Sequence, residues 1–335
     1  MSVKIAINGY GRIGSCVVRA IYDYGLSDKV KVVAINSRSP IETIAHLTRY
    51  DSVHGRFNAN VEVVGDNKLI INGDIVSYTR HSDPAQADWS EADVVMECTG
   101  VFRSREKAQA YFDGGAKKVL VSAPGDDAEV TVVYGVNEDV LRPEHTFVSN
   151  ASCTTNCLAP VAKVLEDSVG IEKGLMTTIH AYTGDQRLLD KSHKDLRRAR
   201  AAAVSMIPTK TGAAKAVGIV LPSLAGKIDG FAVRVPTANV SVVDLNFNSK
   251  RDTSVEEVNA LLKAASEADN SLGKVIGYNT EPLVSIDFLQ RPESTIFDAT
   301  QTRVTGGNFV KIMTWYDNEW GFSCRMIDTA IAMTQ

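Results

Sequence analysis

Val3-Lys4-Ile5-Ala6-Ile7-Asn8-Gly9-Tyr10-Gly11-Arg12-Ile13-Gly14 is the stretch whose reading decides the fold. Residues 3–7 are a short, mostly apolar run of strand type, and Val17, Val18, Ile21 and Tyr22 follow the glycines at helical spacing. The order is therefore strand, Gly-x-Gly-x-x-Gly, helix. Gly9 permits the tight turn, Gly11 lets a diphosphate approach the backbone, and Gly14 lets the helix pack close to the strand, with the diphosphate on the helix N-terminus. A second apolar strand at 30–35 completes the unit. Asn8, Gly9, Tyr10, Gly11, Arg12, Ile13 and Gly14 are thus expected to bind a dinucleotide; the alternative is a merely structural turn.

The second strand ends in Asn36-Ser37-Arg38, where a fold that prefers NAD usually places an acid on the ribose 2′-hydroxyl. No carboxylate stands there. Ser37 leaves room for a 2′-phosphate and Arg38 can pair with it, so NADP is favoured over NAD; otherwise Arg38 is a solvated loop charge and NAD binds through other contacts. Residues 94–97 and 119–121 read as two more buried strands separated by a helical stretch at 104–112, which implies a parallel sheet. Cys98-Thr99-Gly100 and Ser122-Ala123-Pro124 follow these strands at the end where ligands lie, making Thr99 and Ser122 cofactor candidates. The runs 61–64, 69–71 and 75–78 suggest a small antiparallel insertion, with turns at Gly65-Asp66 and Asn72-Gly73.

Chemistry enters with Ser152-Cys153-Thr154-Thr155-Asn156-Cys157, which puts a thiol at a loop-to-helix junction. Unpaired N–H groups and a partial positive charge there favour thiolate and can bind an oxyanion, so Cys153 is the expected nucleophile. Cys153 and Cys157 could instead be two small apolar helix residues or half of a metal site. A metal needs more Cys or His ligands nearby, and none is clustered here, so no metal is expected. A helical stretch from 156 to about 169 and a strand at 175–179 deliver His180, which could face Cys153 as its base; a lone histidine is otherwise often structural.

With 335 residues, two domains of ordinary size fit. A hydrophobic content of 44%, a charged content of 23% and a net charge of −4 suit a soluble globular enzyme with no general attraction to nucleic acid or anionic membrane. Five cysteines without framework spacing, no signal-peptide h-region and no apolar run of spanning length point to a cytoplasmic protein.

Seven segments lie in collinear order: 8–14, Ala151 to Cys157, His180-Ala181-Tyr182-Thr183, Asp195-Leu196-Arg197-Arg198-Ala199-Arg200, Thr211-Gly212-Ala213-Ala214-Lys215, Arg234-Val235-Pro236-Thr237 and Trp315-Tyr316-Asp317-Asn318-Glu319-Trp320-Gly321. Together they resemble phosphorylating glyceraldehyde-3-phosphate dehydrogenases. The resemblance implies an α/β fold: a Rossmann-type dinucleotide-binding domain over 1–150, completed by the C-terminal helix 318–335, and an α+β catalytic domain over 151–317. Residues 231–235, 240–245, 283–288 and 310–316 would form its largely antiparallel sheet, with helices such as 255–268.

The resemblance also implies roles. Cys153 attacks the aldehyde carbon, His180 activates it and takes the thiohemiacetal proton, and inorganic phosphate releases the resulting thioester as an acyl phosphate. Thr183 and Arg234 would hold the substrate phosphate, with Asp185 orienting the arginine. Ser152, Thr154, Thr211 and Gly212 would hold the attacking phosphate, with Arg198 between the two. Asn318 would fix the nicotinamide carboxamide. The basic run 191–200 would cross a subunit interface of a homotetramer, and Ser192 would reach the 2′-phosphate of the neighbouring subunit's cofactor, in agreement with Ser37 and Arg38. An NADP-leaning enzyme of gluconeogenic or biosynthetic flux, or one with dual cofactor use, is the reading that results. The rivals are an erythrose-4-phosphate dehydrogenase and a binding protein that retains the fold without turnover.

Overall fold

The structure is a computed structural model that describes residues 2–335. By internal contacts the chain forms two compact units. The first holds residues up to Val132, Glu138–Ser152 and Ser323–Gln335; the second holds Val133–Asn137 and Cys153–Phe322.

Unit one begins with β1 (Val3–Asn8), α1 (Arg12–Asp23), β2 (Val30–Asn36) and α2 (Ile41–Arg49), then a two-stranded ribbon of β3 (Tyr50–Asp51) and β4 (Gly55–Arg56). There follow β5 (Val61–Val64), β6 (Lys68–Ile71), β7 (Asp74–Thr79), β8 (Val94–Glu97), α3 (Arg105–Asp113), β9 (Val119–Val121), β10 (Val130–Thr131) and β11 (Phe147–Ser149). Nine strands lie in one sheet in the order β10-β11-β9-β8-β1-β2-β7-β6-β5. From β10 to β7 every pairing is parallel, and β8 and β9 are buried throughout, as strands covered on both faces must be. β5, β6 and β7 form the expected antiparallel insertion, and β7 also joins the main sheet beside β2. Trp89, Tyr111 and Phe147 anchor the core on one side. The C-terminal helix, Trp320–Ala332, is tied into this unit from Ser323 onward. Thr329 Oγ1 donates to Asn150 Oδ1 at 2.7 Å, and Lys118 Nζ donates to the Met333 carbonyl at 2.6 Å.

Unit two begins with α4 (Cys153–Ser168), β12 (Ile171–Ala181), β13 (Ile207–Lys210), α5 (Ala213–Val220), β14 (Ile228–Val235) and β15 (Ser241–Ser249). It continues with α6 (Val255–Ser266), α7 (Ser271–Val275), β16 (Ile276–Asn279), β17 (Thr295–Asp298), β18 (Arg303–Thr305) and β19 (Phe309–Tyr316). The sheet runs β13-β14-β12-β15-β19-β17-β16 with β18 on β19, and only β12–β14 and β16–β17 pair in parallel. The expectation of a mostly antiparallel sheet holds. One expected strand does not: 283–288 contains the short 3-10 turn Ser285–Phe288. The Asp287 carboxylate accepts the Val284 N–H at 2.8 Å and closes a turn there, while Val284 and Ile286 stay exposed. An Asp that caps its own turn outweighs the apolar pattern.

The first glycine turn shows how tightly unit one is built. Gly9 has φ +94°, and a Cβ there would lie 2.6 Å from Thr99 Cγ2; a Cβ at Gly14 would lie 2.3 Å from the Gly9 carbonyl oxygen. At Gly11 nothing lies within 4 Å of a Cβ. Gly14→Ala is therefore expected to lower unfolding free energy by about 1–3 kcal/mol, and Gly11→Ala by less than about 0.5 kcal/mol. Urea denaturation of the two variants checks this, and equal stabilities would contradict the packing.

Candidate active site

A cavity of about 750 Å³ opens at the C-terminal ends of β1, β2 and β8. Of the residues expected at the cofactor, Asn8, Gly9, Tyr10, Gly11, Ser37, Arg38 and Thr99 line it. Arg12, Ile13, Gly14 and Ser122 do not; Arg12 instead forks onto the Asp51 carboxylate, and Gly14 packs beneath the turn. Asn36, Ser39, His81, Ser82, Cys98, Val101 and Phe102 also line the cavity, and sequence reasoning does not find them. They come from strand ends and from loops whose residues carry no periodic signal.

The cavity fits a dinucleotide. Gly11 is the N-cap of α1, carries no side chain to fill the space, and no side-chain cap occupies the helix N-terminus, which leaves it open to a diphosphate. Near the end of β2, Arg38 is exposed, and among the described residues no carboxylate pairs with it. The loop is held from behind: Tyr78 Oη donates to the carbonyls of Ser37 (3.2 Å) and Ser39 (2.5 Å), and Arg80 donates to the Arg38 carbonyl at 3.1 Å.

In unit two, Cys153 is the first residue of α4. The buried Ala151, at φ 56°, turns the chain into that helix. His180 lies near the end of β12, one strand over from Arg234 on β14, and the parallel register pairs the two residues. Cys153 Sγ and His180 Nε2 are 3.5 Å apart. The imidazole Nδ1 lies 2.7 Å from the Ala181 carbonyl and 2.8 Å from Arg234 Nη1, which itself donates to that carbonyl at 2.9 Å. A guanidinium only donates and a carbonyl only accepts, and with the Ala181 carbonyl taken as the acceptor for both groups the imidazole proton is assigned to Nδ1. The Nε2 lone pair then faces the sulfur.

Charge in this pocket is set by burial. Burial, followed by the neighbouring Arg234 guanidinium, pushes the His180 imidazole down from 6.5 to about 3, so the base stays neutral across the physiological range. Cys153 keeps partial exposure as a residue, yet its sulfur is enclosed, and burial raises the thiol above its ordinary value. The Arg234 charge and hydrogen bonds from Thr154 oppose this. Burial at the sulfur thus works against the thiolate that the helix start is expected to favour. Cys157 is fully buried, with Sγ against Thr295 Oγ1 and the Thr314 carbonyl, and burial raises its thiol as well. It is a core residue.

Tyr316, to which the sequence assigns no role, sits beneath the pair. Its buried hydroxyl meets Thr154 Oγ1 at 2.9 Å and Thr178 Oγ1 at 2.8 Å, and its ring lies edge-on to His180. Thr154 is thus buried with its hydroxyl engaged, while Ser152 is partly exposed at the approach to Cys153. Ser241 Oγ donates to Asn318 Oδ1 at 2.7 Å and accepts the Ala181 N–H at 3.0 Å, so the Asn318 amide is turned with its NH₂ group outward from that bond.

The anion-binding candidates divide. Arg234 has a buried Nε with no hydrogen-bond partner, a donor in want of an anion. Arg198 is engaged: it donates to Asp185 Oδ2 at 2.5 Å, Thr209 Oγ1 at 2.9 Å and the Lys210 carbonyl at 3.2 Å. Asp185, expected to orient Arg234, instead accepts its hydrogen bond from Arg198, because the loop carrying both residues folds back on itself. Thr211 Oγ1 accepts the Ala213 N–H at 3.2 Å and Gly212 is the exposed N-cap of α5, so this helix start is available to an anion. Thr183 is partly exposed in the turn after β12, and Ser192 is exposed on the basic loop.

Residues 3–105 match the family described as glyceraldehyde 3-phosphate dehydrogenase, NAD binding domain, and residues 152–318 match glyceraldehyde 3-phosphate dehydrogenase, C-terminal domain. The chain is 60% identical over 335 residues to a glyceraldehyde-3-phosphate dehydrogenase of Xanthobacter flavus, covering 99% of each chain. It is 58% identical over 333 residues to that of Cereibacter sphaeroides, again with 99% coverage of both. It is 52% identical over 333 residues to that of Geobacillus stearothermophilus, at 98% coverage of both.

The nearby Arg234 charge lowers the thiol of Cys153. Arg234→Leu is expected to slow alkylation of Cys153 by iodoacetamide at pH 8 by roughly tenfold, the equivalent of about one pKa unit, while Cys157 stays unlabelled. Equal rates for wild type and variant would show that the guanidinium does not act on the sulfur.

Proposed function

The chain belongs to the glyceraldehyde-3-phosphate dehydrogenase family, and from that premise we propose how its residues carry the reaction and which cofactor they favour. The reaction joins the oxidation of D-glyceraldehyde 3-phosphate to the uptake of inorganic phosphate, giving 1,3-bisphosphoglycerate, and runs in reverse under the opposite flux. The erythrose 4-phosphate alternative is not favoured, since the full-length relatives carry the glyceraldehyde name.

Cys153 is the nucleophile. As its sulfur bonds to the aldehyde carbon, the thiol proton passes to His180 Nε2, 3.5 Å away, and returns to the new alkoxide to give a thiohemiacetal. His180 then draws the hydroxyl proton while a hydride leaves the same carbon, and a thioester remains on Cys153. When bound, the nicotinamide ring supplies the hydride acceptor. Hydrogen phosphate attacks the thioester carbonyl and gives up its proton to solvent, the carbon–sulfur bond breaks, and the sulfur departs as thiolate to recover its proton from the imidazolium. The distance between Sγ and Nε2, with Nδ1 held by the Ala181 carbonyl, is the observation that carries this assignment.

Arg234 and Thr183 take the substrate phosphate; Ser152, Thr211, Gly212 and Thr154 attend the attacking phosphate, with Arg198 between them. Support comes from the unpartnered Nε of Arg234 and the open start of α5. Asn318, its amide turned by Ser241, fixes the nicotinamide carboxamide.

NAD(P) serves as cofactor, and NADP is the proposed preference. Ser37 and Arg38 line the dinucleotide cavity with no acid beside them, and Ser192 would add a hydroxyl from a neighbouring copy. A homotetramer is proposed on the exposed apolar side chains of the same basic loop and its surroundings, Leu188, Leu189, Leu196, Val204 and Met206, each at least 74% exposed, a composition suited to burial between copies. No helix among the described residues is long and apolar enough to cross a membrane, and a cytoplasmic setting is proposed with the rest.

Ser37→Asp is expected to move the ratio of specificity constants towards NAD by about 5- to 150-fold, through repulsion of a 2′-phosphate and a new bond to the ribose hydroxyl. Arg38→Ala moves it the same way by less. Steady-state comparison of both cofactors at fixed ionic strength is the check; a wild type that strongly prefers NAD, with a ratio indifferent to Arg38→Ala, would overturn the NADP assignment.

A further inference from the structure

Beneath the dinucleotide cavity lies a carboxylate that the reaction does not use. Glu97, the last residue of β8, is fully buried, and each of its two oxygens has a distinct set of donors. Oε1 accepts the Thr99 N–H at 2.6 Å, the Gly100 N–H at 2.9 Å and the Thr99 hydroxyl. Oε2 accepts Asn8 Nδ2 at 3.1 Å and the Tyr111 hydroxyl.

The second set has a continuation. A carboxylate can only accept, so Asn8 must turn its NH₂ towards Glu97 and its oxygen towards β2. Asn8 Oδ1 accordingly accepts Asn36 Nδ2 at 2.7 Å. Asn36 is thereby turned as well, and its Oδ1 accepts the His81 N–H at 2.8 Å and Thr79 Oγ1 at 3.0 Å. Asn8, Asn36 and Glu97 are the final residues of β1, β2 and β8, and Thr79 that of β7, so one directed chain of hydrogen bonds runs across four strand ends. Asn8, Asn36, Thr99 and His81 also line the cavity. A buried charge satisfied by five donors is costly to disturb, and a half-satisfied network is worse than none.

We infer that Glu97 is a positioning residue for the dinucleotide: one oxygen holds the 99–100 loop, and the other sets the amide orientation of Asn8 and, through it, of Asn36 and the loop behind Ser37. The inference rests on the reading of this cavity as the dinucleotide site. Glu97 touches neither cofactor nor substrate; it fixes the direction in which the wall groups present donors and acceptors.

The test is calorimetric binding of NAD and of NADP to the whole protein, with thermal unfolding followed alongside. In Glu97→Gln, the amide oxygen can still serve Thr99 and Gly100, but its NH₂ now opposes that of Asn8. The dissociation constants for both dinucleotides are expected to rise by the same factor, on the order of tenfold. Adding Asn8→Asp restores a donor facing an acceptor at that contact while leaving an acceptor for Asn36, and is expected to recover most of the lost affinity. A glutamate whose role is only structural would shift the melting temperature and leave both dissociation constants unchanged. Should Glu97→Gln not fold, Tyr111→Phe removes one donor to the same oxygen and is expected to weaken both dinucleotides two- to threefold. Wild-type affinity in a folded Glu97→Gln, or in Tyr111→Phe where that is the variant measured, overturns the inference, as does a double variant no better than the single. If wild type itself binds neither dinucleotide, the cavity reading fails first, and the two failures are distinct.

Discussion

The parallel pairing of β12 with β14, in the register that sets His180 beside Arg234, is the constraint on which the chemical site depends. A slip of one residue in either strand would put the two side chains on opposite faces of the sheet. In the observed register, one backbone carbonyl, that of Ala181, receives both the imidazole Nδ1 proton and the guanidinium. The tautomer of the base, the location of the fixed positive charge and the direction of the Nε2 lone pair all follow from that arrangement. α4 then needs only to begin at the right place for its first residue, Cys153, to meet the lone pair.

Burial gives this pair its character. Burial next to a guanidinium makes the imidazole resist protonation, and burial makes the thiol resist ionisation while the Arg234 charge favours it. In the proposed reaction the proton moves as sulfur bonds to carbon, and the charge that develops then lies beside Arg234. Tyr316, through Thr154 and Thr178, ties the start of α4, where Cys153 lies, to β12, which carries His180. In unit one a buried polar group likewise orders its neighbours. The Glu97 carboxylate at the end of β8 accepts from the Asn8 amide at the end of β1, whose oxygen in turn accepts from the Asn36 amide at the end of β2.

Legibility in the sequence follows the range of the interactions. The glycine turn, the alternation of strand and helix in the first half, and the thiol at a helix start are local patterns, and each appears in the structure where the residues indicate. The partners of those residues are separated in sequence and leave no local trace. Tyr316 meets Thr154 across 162 positions, and Asn8 meets Glu97 across 89. Short buried strands such as β16 and β17 escape a sequence reading because four residues carry too little periodicity, whereas 283–288 has an apolar pattern that misleads, since Asp287 closes a turn there. Asp185 pairs with Arg198 rather than Arg234 because sequence gives the charge of a loop residue but not the direction in which its loop folds.

The central claim is that a single thiol, Cys153, carries the substrate as a thioester that phosphate releases. Incubating the protein with glyceraldehyde 3-phosphate and oxidised cofactor in phosphate-free buffer, followed by acid quench and peptide mass spectrometry, tests it directly. The account predicts a phosphoglyceryl adduct on the peptide containing Cys153, localised by fragmentation to that residue rather than Cys157, and its loss when phosphate is added before the quench. An adduct on any other residue, no adduct despite cofactor reduction, or an adduct on Cys153 that survives phosphate would contradict it.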